Sequence, residues 1–190
     1  MNNIFKGYRV STYDILTVAV VAAVGGIIGA YVIDAWAKFI EGVLGPFGAA
    51  LDNPFFILFY IIIGLLTKKP LLTFIGGMLT GTVEMIAGSL DGSIVLVFTL
   101  LQAIGAELGF MIFLYRPTIT TALLSGALTG IGCAICLTFV FGFTVLPIGT
   151  MILFYIAMAL GDAIIGGGLA WIIYQGILKT GVRGSAAASV

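Results

Sequence analysis

Glu84, Glu107 and Asp162 lie far inside apolar segments, and no lysine or arginine shares those segments to neutralise them. An acid at the centre of a bilayer costs on the order of 3 kcal/mol even on the lenient insertion scale, so a membrane chain that keeps three has a use for them. Such acids can hold a cation or accept hydrogen bonds from a ligand; the structural alternative is that each bonds a neighbouring helix. Gln102 lies on the same segment as Glu107. At about 100° per residue the two point about 140° apart, so they line different parts of one interior. Trp36, Tyr60 and Tyr155 are the aromatic candidates beside the acids, and a carboxylate next to aromatic faces suits an organic cation.

These residues need a scaffold, and composition says which solvent it sits in. The chain is 61% hydrophobic and 8% charged, with a mean hydropathy of +1.25. A soluble fold leaves roughly a quarter of its surface in water and could not hide that much apolar area, so the partner of most of this surface is the lipid bilayer. The chain has no histidine, which removes histidine metal sites and Ser-His or Cys-His dyads together. No metal, no cofactor and no catalytic residue is expected. Cys133 and Cys136 form a CxxC within one apolar segment; without a second pair they read as small packing residues. No GxxxxGK[ST] occurs, so energy from ATP must come through partners. No nucleic-acid partner is expected.

Apolar runs divide the chain into a single all-α domain, an integral-membrane six-helix bundle with spans over residues 15–33, 54–67, 71–87, 94–115, 119–141 and 150–178. The second is short and borrows length from the Gly-rich stretch before it; Asp52 and Asn53 stand as candidate caps, with Pro54 in the first turn. Lys6, Arg9, Lys68, Lys69, Arg116, Lys179 and Arg183 fall on one side of such a bundle and Lys38 alone on the other. The positive-inside rule then puts both termini in the cytoplasm. The outer loop from Asp34 to Asn53 reads either as a lid over an outward-facing pocket or as an interfacial loop anchored by Trp36. The tail Gly184 to Val190 reads as disordered.

The first span carries a stripe of small residues, Ala19, Ala22, Ala23 and Gly26 among them. Such stripes let helices approach closely, either inside the bundle or against a partner membrane protein.

Phe74-Ile75-Gly76-Gly77-Met78, Glu84-Met85-Ile86-Ala87-Gly88 and Gln102-Ala103-Ile104-Gly105-Ala106-Glu107 together resemble the substrate-binding S component of an energy-coupling-factor (ECF) type ABC importer. The type resembled is the YkoE-like one, associated with thiamine or its hydroxymethylpyrimidine precursor. The resemblance implies a multi-pass protein of a bacterial or archaeal cytoplasmic membrane, not an enzyme, that captures the vitamin from the outer face. It also implies a transmembrane coupling subunit and two cytosolic ATPase subunits as partners, docked through Ala19, Ala22, Ala23 and Gly26. Glu84 would then pair the ligand, Gln102 and Glu107 would fix its polar atoms, Trp36 and Tyr60 would help close the site, and Tyr155 and Asp162 are further candidates. A thiazolium cation with an aminopyrimidine suits acids, amides and aromatic faces. Two other classes stay open: a proton-coupled secondary carrier for a small organic cation, and an intramembrane enzyme.

Overall fold

The computed structural model describes residues 9–181. Lys6, Arg183 and the tail from Gly184 lie outside the described residues, so those readings meet no coordinates. Among the described residues every regular element is helical. Helix α1 (Thr12–Ile28) starts at Ser11, whose hydroxyl accepts from the Asp14 N–H while the Asp14 carboxylate takes the Ser11 N–H at 2.7 Å, a reciprocal cap. It runs through a π-helical turn (Gly29–Ile33) directly into α2 (Asp34–Leu44). Most of the segment expected as an outer loop is therefore helix. Gly45, at φ 60°, ends α2, and a 3-10 turn over Gly45–Gly48 leads into α3 (Ala49–Thr67).

Thr12–Thr67 is one helical stretch of 56 residues. At about 1.5 Å per residue it would extend about 84 Å, far more than the roughly 30 Å of a hydrocarbon core. Because α3 packs along both α1 and α2, the chain doubles back at Gly45. The second expected span does borrow length from the preceding residues: α3 begins at Ala49, so Pro54 lies inside the helix rather than in its first turn. Asp52 and Asn53 are interior helix residues and not caps.

The chain continues through α4 (Leu72–Ala87), α5 (Val95–Ile112) and α6 (Ile119–Val140). It ends on α7 (Ile148–Gly161), a π-helical turn (Asp162–Gly167) and α8 (Gly168–Lys179), which run on as one helical stretch. Gly92–Ile112, Ile119–Val140 and Ile148–Lys179 are, like Thr12–Thr67, long and apolar enough to cross a membrane, and Leu72–Ala87 is a shorter apolar helix. The protein is a multi-pass membrane protein. Helix α3 is the central post: it packs against α1, α4, α5, α6, α7 and α8, and every residue from Tyr60 to Thr67 is buried. Polar side chains near its start consequently point into protein.

Glycines set the helix spacing. A Cβ on Gly105 would press on the Leu128 carbonyl of α6, and one on Gly132 on the Leu101 carbonyl of α5. One on Gly77 would lie 2.8 Å from Ala103 Cβ. Such contacts let backbones touch, as in other membrane bundles. The small stripe of α1 is divided by the same packing. Ala22 and Gly26 are buried, and a Cβ on Gly26 would come within 2.6 Å of the Thr80 carbonyl on α4. Ala19 is exposed and Ala23 half-buried. Two of the four residues assigned to docking are thus spent inside the bundle, leaving Ala19 and Ala23 facing outward. Gly26→Ala is expected to destabilise the isolated chain by about 1–3 kcal/mol through overpacking, while Ala19→Leu leaves it unchanged. Thermal unfolding of both variants in detergent checks this, and equal melting temperatures would contradict it.

The two ends of the bundle differ in charge. At one end Lys69 Nζ donates to the Arg9 carbonyl at 2.8 Å and pairs with Asp14 at 2.5 Å, and Lys68 Nζ lies 6.0 Å from the Tyr174 ring centre. At the other, Lys38 pairs with Asp91 at 2.7 Å.

Candidate functional site

At the Lys38 end the helices part around a cavity with about 510 Å³ of empty volume including its open mouth. Helix α2 supplies Lys38 and Glu41, α3 supplies Asp52, Asn53, Phe56 and Tyr60, and α4 supplies Glu84. Asp91 comes from the turn after α4, Phe98, Thr99 and Gln102 from α5, and Cys133 from α6. A second space of about 600 Å³ shares Lys38, Glu41, Asp91 and Phe98 with the first and adds Phe141 and Phe143, an aromatic vestibule at the mouth.

The local structure explains each placement. Asn53, Phe56 and Tyr60 fall three and four residues apart on α3 and so share one face. Asp34, Lys38 and Glu41 have the same spacing on α2. Asp34 Oδ2 accepts from the Ser89 hydroxyl at 2.7 Å and the Leu90 N–H at 2.8 Å, which ties α2 to the turn after α4. That turn bends through Gly88 at φ 98° and Gly92 at φ 59°, conformations that favour glycine. Lys38 bridges Asp91 at 2.7 Å and Glu41 at 3.7 Å across the mouth. Four carboxylates and one ammonium line the cavity, so it suits a cation.

Glu84 is 2% exposed near the end of α4. The π turn of α1 presents Gly29 to it, and a Cβ there would lie 3.1 Å from the Glu84 carboxyl carbon. The missing side chain makes the room the acid occupies. π turns recur at functional sites for this reason: one extra residue re-aims a helix face. Deeper in, three side chains form a chain of hydrogen bonds. Tyr60 OH donates to Gln102 Oε1 at 3.4 Å, Gln102 Nε2 to Asn53 Oδ1 at 2.7 Å, and Asn53 Nδ2 to Asp162 Oδ2 at 2.5 Å.

Among the residues expected from sequence, Glu84, Gln102 and Tyr60 meet in the cavity. Asp162 sits one hydrogen bond behind it. Trp36 does not line it: the indole is 45% exposed and faces an apolar groove with Ile28, Phe55 and Phe59. Tyr155 packs on Phe154 and donates to Thr138 Oγ1 at 3.1 Å, away from the cavity. Glu107 lies at the opposite end of the bundle. Its carboxylate accepts from the Leu71 N–H at 2.6 Å, the Phe74 N–H at 3.1 Å and the Tyr115 hydroxyl at 2.5 Å, serving as the N-terminal cap that Leu71 cannot supply to α4. Glu107→Ala is expected to cost about 2 kcal/mol of stability by stranding those donors, with ligand affinity unchanged. Unfolding measured beside a binding titration separates the two, and a variant that stays stable but binds poorly would contradict the capping role.

Sequence reasoning missed Asn53, Asp52, Phe56, Phe98, Lys38 and Asp91. Asp52 and Asn53 were hidden by starting the helix at Pro54; begun at Ala49, the Asn53-Phe56-Tyr60 spacing reads as one polar-aromatic face. Cys133, taken as packing only, lines the cavity.

Known proteins bear on this arrangement in two ways. One solved structure, "Crystal structure of an S-component of ECF transporter", superposes with a TM-score of 0.86 over 92% of this chain and 88% of that one, at 19% identity. At that identity the likeness shows a shared fold. No curated protein matches the chain. The family profile described as "ABC-type cobalt transport system, permease component" matches residues 13–132, a stretch that carries α1 through most of α6 and with them nearly every side chain of the cavity, and the chain belongs to that family.

Proposed function

We propose that this chain is the substrate-capture subunit of an ECF-type importer, taking up thiamine or its hydroxymethylpyrimidine precursor from the outer face and passing it on with a coupling subunit and two ATPases. The observation that carries this reading is the convergence of Glu84, the Asn53 and Gln102 amides and the Phe56, Tyr60 and Phe98 rings on one acid-rich cavity. A permanent thiazolium charge is matched by the carboxylates, an aminopyrimidine by the amides, and both rings by the aromatic faces. The family description names cobalt, for which the donor set is poor. The chain has no histidine, the commonest metal ligand, and among the described residues no group of three His, Cys, Asp or Glu side chains is placed to hold a metal ion.

In this reading α1, α3, α4, α5, α6 and the α7–α8 stretch are six crossings, and the end bearing Arg9, Lys68, Lys69 and Arg116 is cytoplasmic. The cavity then opens outward, with α2 lying across its mouth as a helical lid. The exposed Ala19 and the half-buried Ala23 of α1 remain for the coupling subunit.

Isothermal titration calorimetry of the purified chain in detergent tests the substrate. Saturable binding of thiamine or hydroxymethylpyrimidine, without a response to cobalt(II) or biotin, is expected. Binding of cobalt(II) alone would overturn the proposal. Trp36 lies outside the cavity, so calorimetry is a better readout than tryptophan quenching.

A further inference from the structure

A carboxamide presents a donor on one side and an acceptor on the other, so a site built on Asn53 and Gln102 has no fixed polarity until something outside it chooses which end faces the ligand. Asp162 stands at the far end of that chain. Its Oδ2 accepts the Asn53 NH2 at 2.5 Å, which turns Asn53 Oδ1 toward Gln102; Oδ1 in turn accepts the Gln102 NH2 at 2.7 Å. Gln102 Oε1 is left facing Tyr60 OH at 3.4 Å, a long bond that a better-placed ligand N–H displaces. Asp162 is itself closely packed. It is fully buried at the start of the π turn, with its carbonyl against Gly126 and its Oδ2 2.9 Å from where a Gly130 Cβ would stand. Its Oδ1 makes no hydrogen bond among the described residues, so Asn53 is the group its carboxylate orients. Asp162 does not line the cavity.

We infer that Asp162 is a positioning residue that sets the hydrogen-bond polarity of the cavity, through Asn53 and Gln102, so that the site accepts from a ligand N–H and rejects a carbonyl oxygen at the same place. The inference rests on the proposed pyrimidine-binding reading and deepens it by assigning the discrimination between an aminopyrimidine and its oxo counterpart.

Asp162→Asn keeps the shape but allows the relay to reverse, since the new carboxamide can donate to Asn53 and leave the Gln102 NH2 facing the cavity. Calorimetry with thiamine and with its analogue carrying an oxo group in place of the pyrimidine amine reads the outcome. The wild type prefers the amine, and in Asp162→Asn the ratio of affinities falls about tenfold or more, because a missing or misdirected buried hydrogen bond discriminates strongly. Adding Gln102→Glu to that variant restores the preference for the amine, because both carboxylate oxygens accept. Parallel weakening of both ligands, or an unchanged ratio, overturns the inference. If Asp162→Asn does not fold, Asn53→Ser severs the relay one step nearer the cavity and must lower the same ratio.

A ligand-free readout keeps the two readings apart. Nuclear Overhauser contacts of the Gln102 side-chain NH2 lie toward Asn53 in the wild type and move toward the Tyr60 ring in Asp162→Asn. If they move while neither compound binds the wild type, the pyrimidine reading fails and the positioning role stands. If they stay while the wild type binds thiamine, the positioning role fails.

Discussion

Glu84→Gln is expected to weaken thiamine binding about 100-fold in a protein that still folds. A buried charge pair that loses one partner forfeits about 2–5 kcal/mol, and about 2.7 kcal/mol is a factor of about 100. Glutamine keeps the volume beside Gly29 and the place on α4, so the change removes charge and little else. Calorimetry on the variant, with its thermal unfolding as control, measures the effect. The loss should be larger for thiamine than for uncharged hydroxymethylpyrimidine, which has no thiazolium to pair. Unchanged thiamine affinity in a folded variant would remove Glu84 from the site.

Gly105→Val is expected to have the largest effect on folding. A Cβ at Gly105 already presses on the backbone carbonyl of Leu128, with the Thr129 nitrogen 2.8 Å away, and neither is a side chain that can swing aside. Overpacking of this kind costs about 3 kcal/mol, and more where backbone must move. Gly176 is the control, because nothing lies within 4 Å of a Cβ there; Gly176→Ala is expected to be neutral or to stabilise by up to about 1 kcal/mol through helix propensity. Melting temperatures and monodispersity in detergent compare the three proteins. Similar melting of Gly105→Val and the wild type would show that α5 and α6 are not held at this spacing.

The helices of this protein were readable where hydropathy alone builds them. Helix α2 was not, because its polar residues and flanking glycines resemble a loop when counted together. Its Asp34, Lys38 and Glu41 fall on one face only once helical spacing is imposed, and Lys38 and Glu41 of that face line the cavity. The acids show a sharper limit. Glu84 and Glu107 look alike in sequence, each a lone carboxylate in an apolar run. What separates them is the element at the same depth on a neighbouring helix: a bulged turn with Gly29 for one, and the uncapped start of α4 for the other. Side-chain periodicity cannot report that register. The stripe on α1 was misassigned in part for the same reason, since only packing decides that Ala22 and Gly26 face α4 while Ala19 faces away.

Below Tyr60 the central helix carries Ile61, Ile63 and Leu65, all fully buried, with Phe110 packed into the same layer. A hydrated path for an ion would need a continuous run of polar groups through that depth, and this layer is mostly hydrocarbon, with the buried Thr73 hydroxyl beside Gly64 as a polar exception. In the proposed reading the molecule is a cup with a packed base. On that reading a copy standing idle in the membrane is expected to leak neither protons nor sodium ions, so a cell could hold many such copies without short-circuiting its own energy supply.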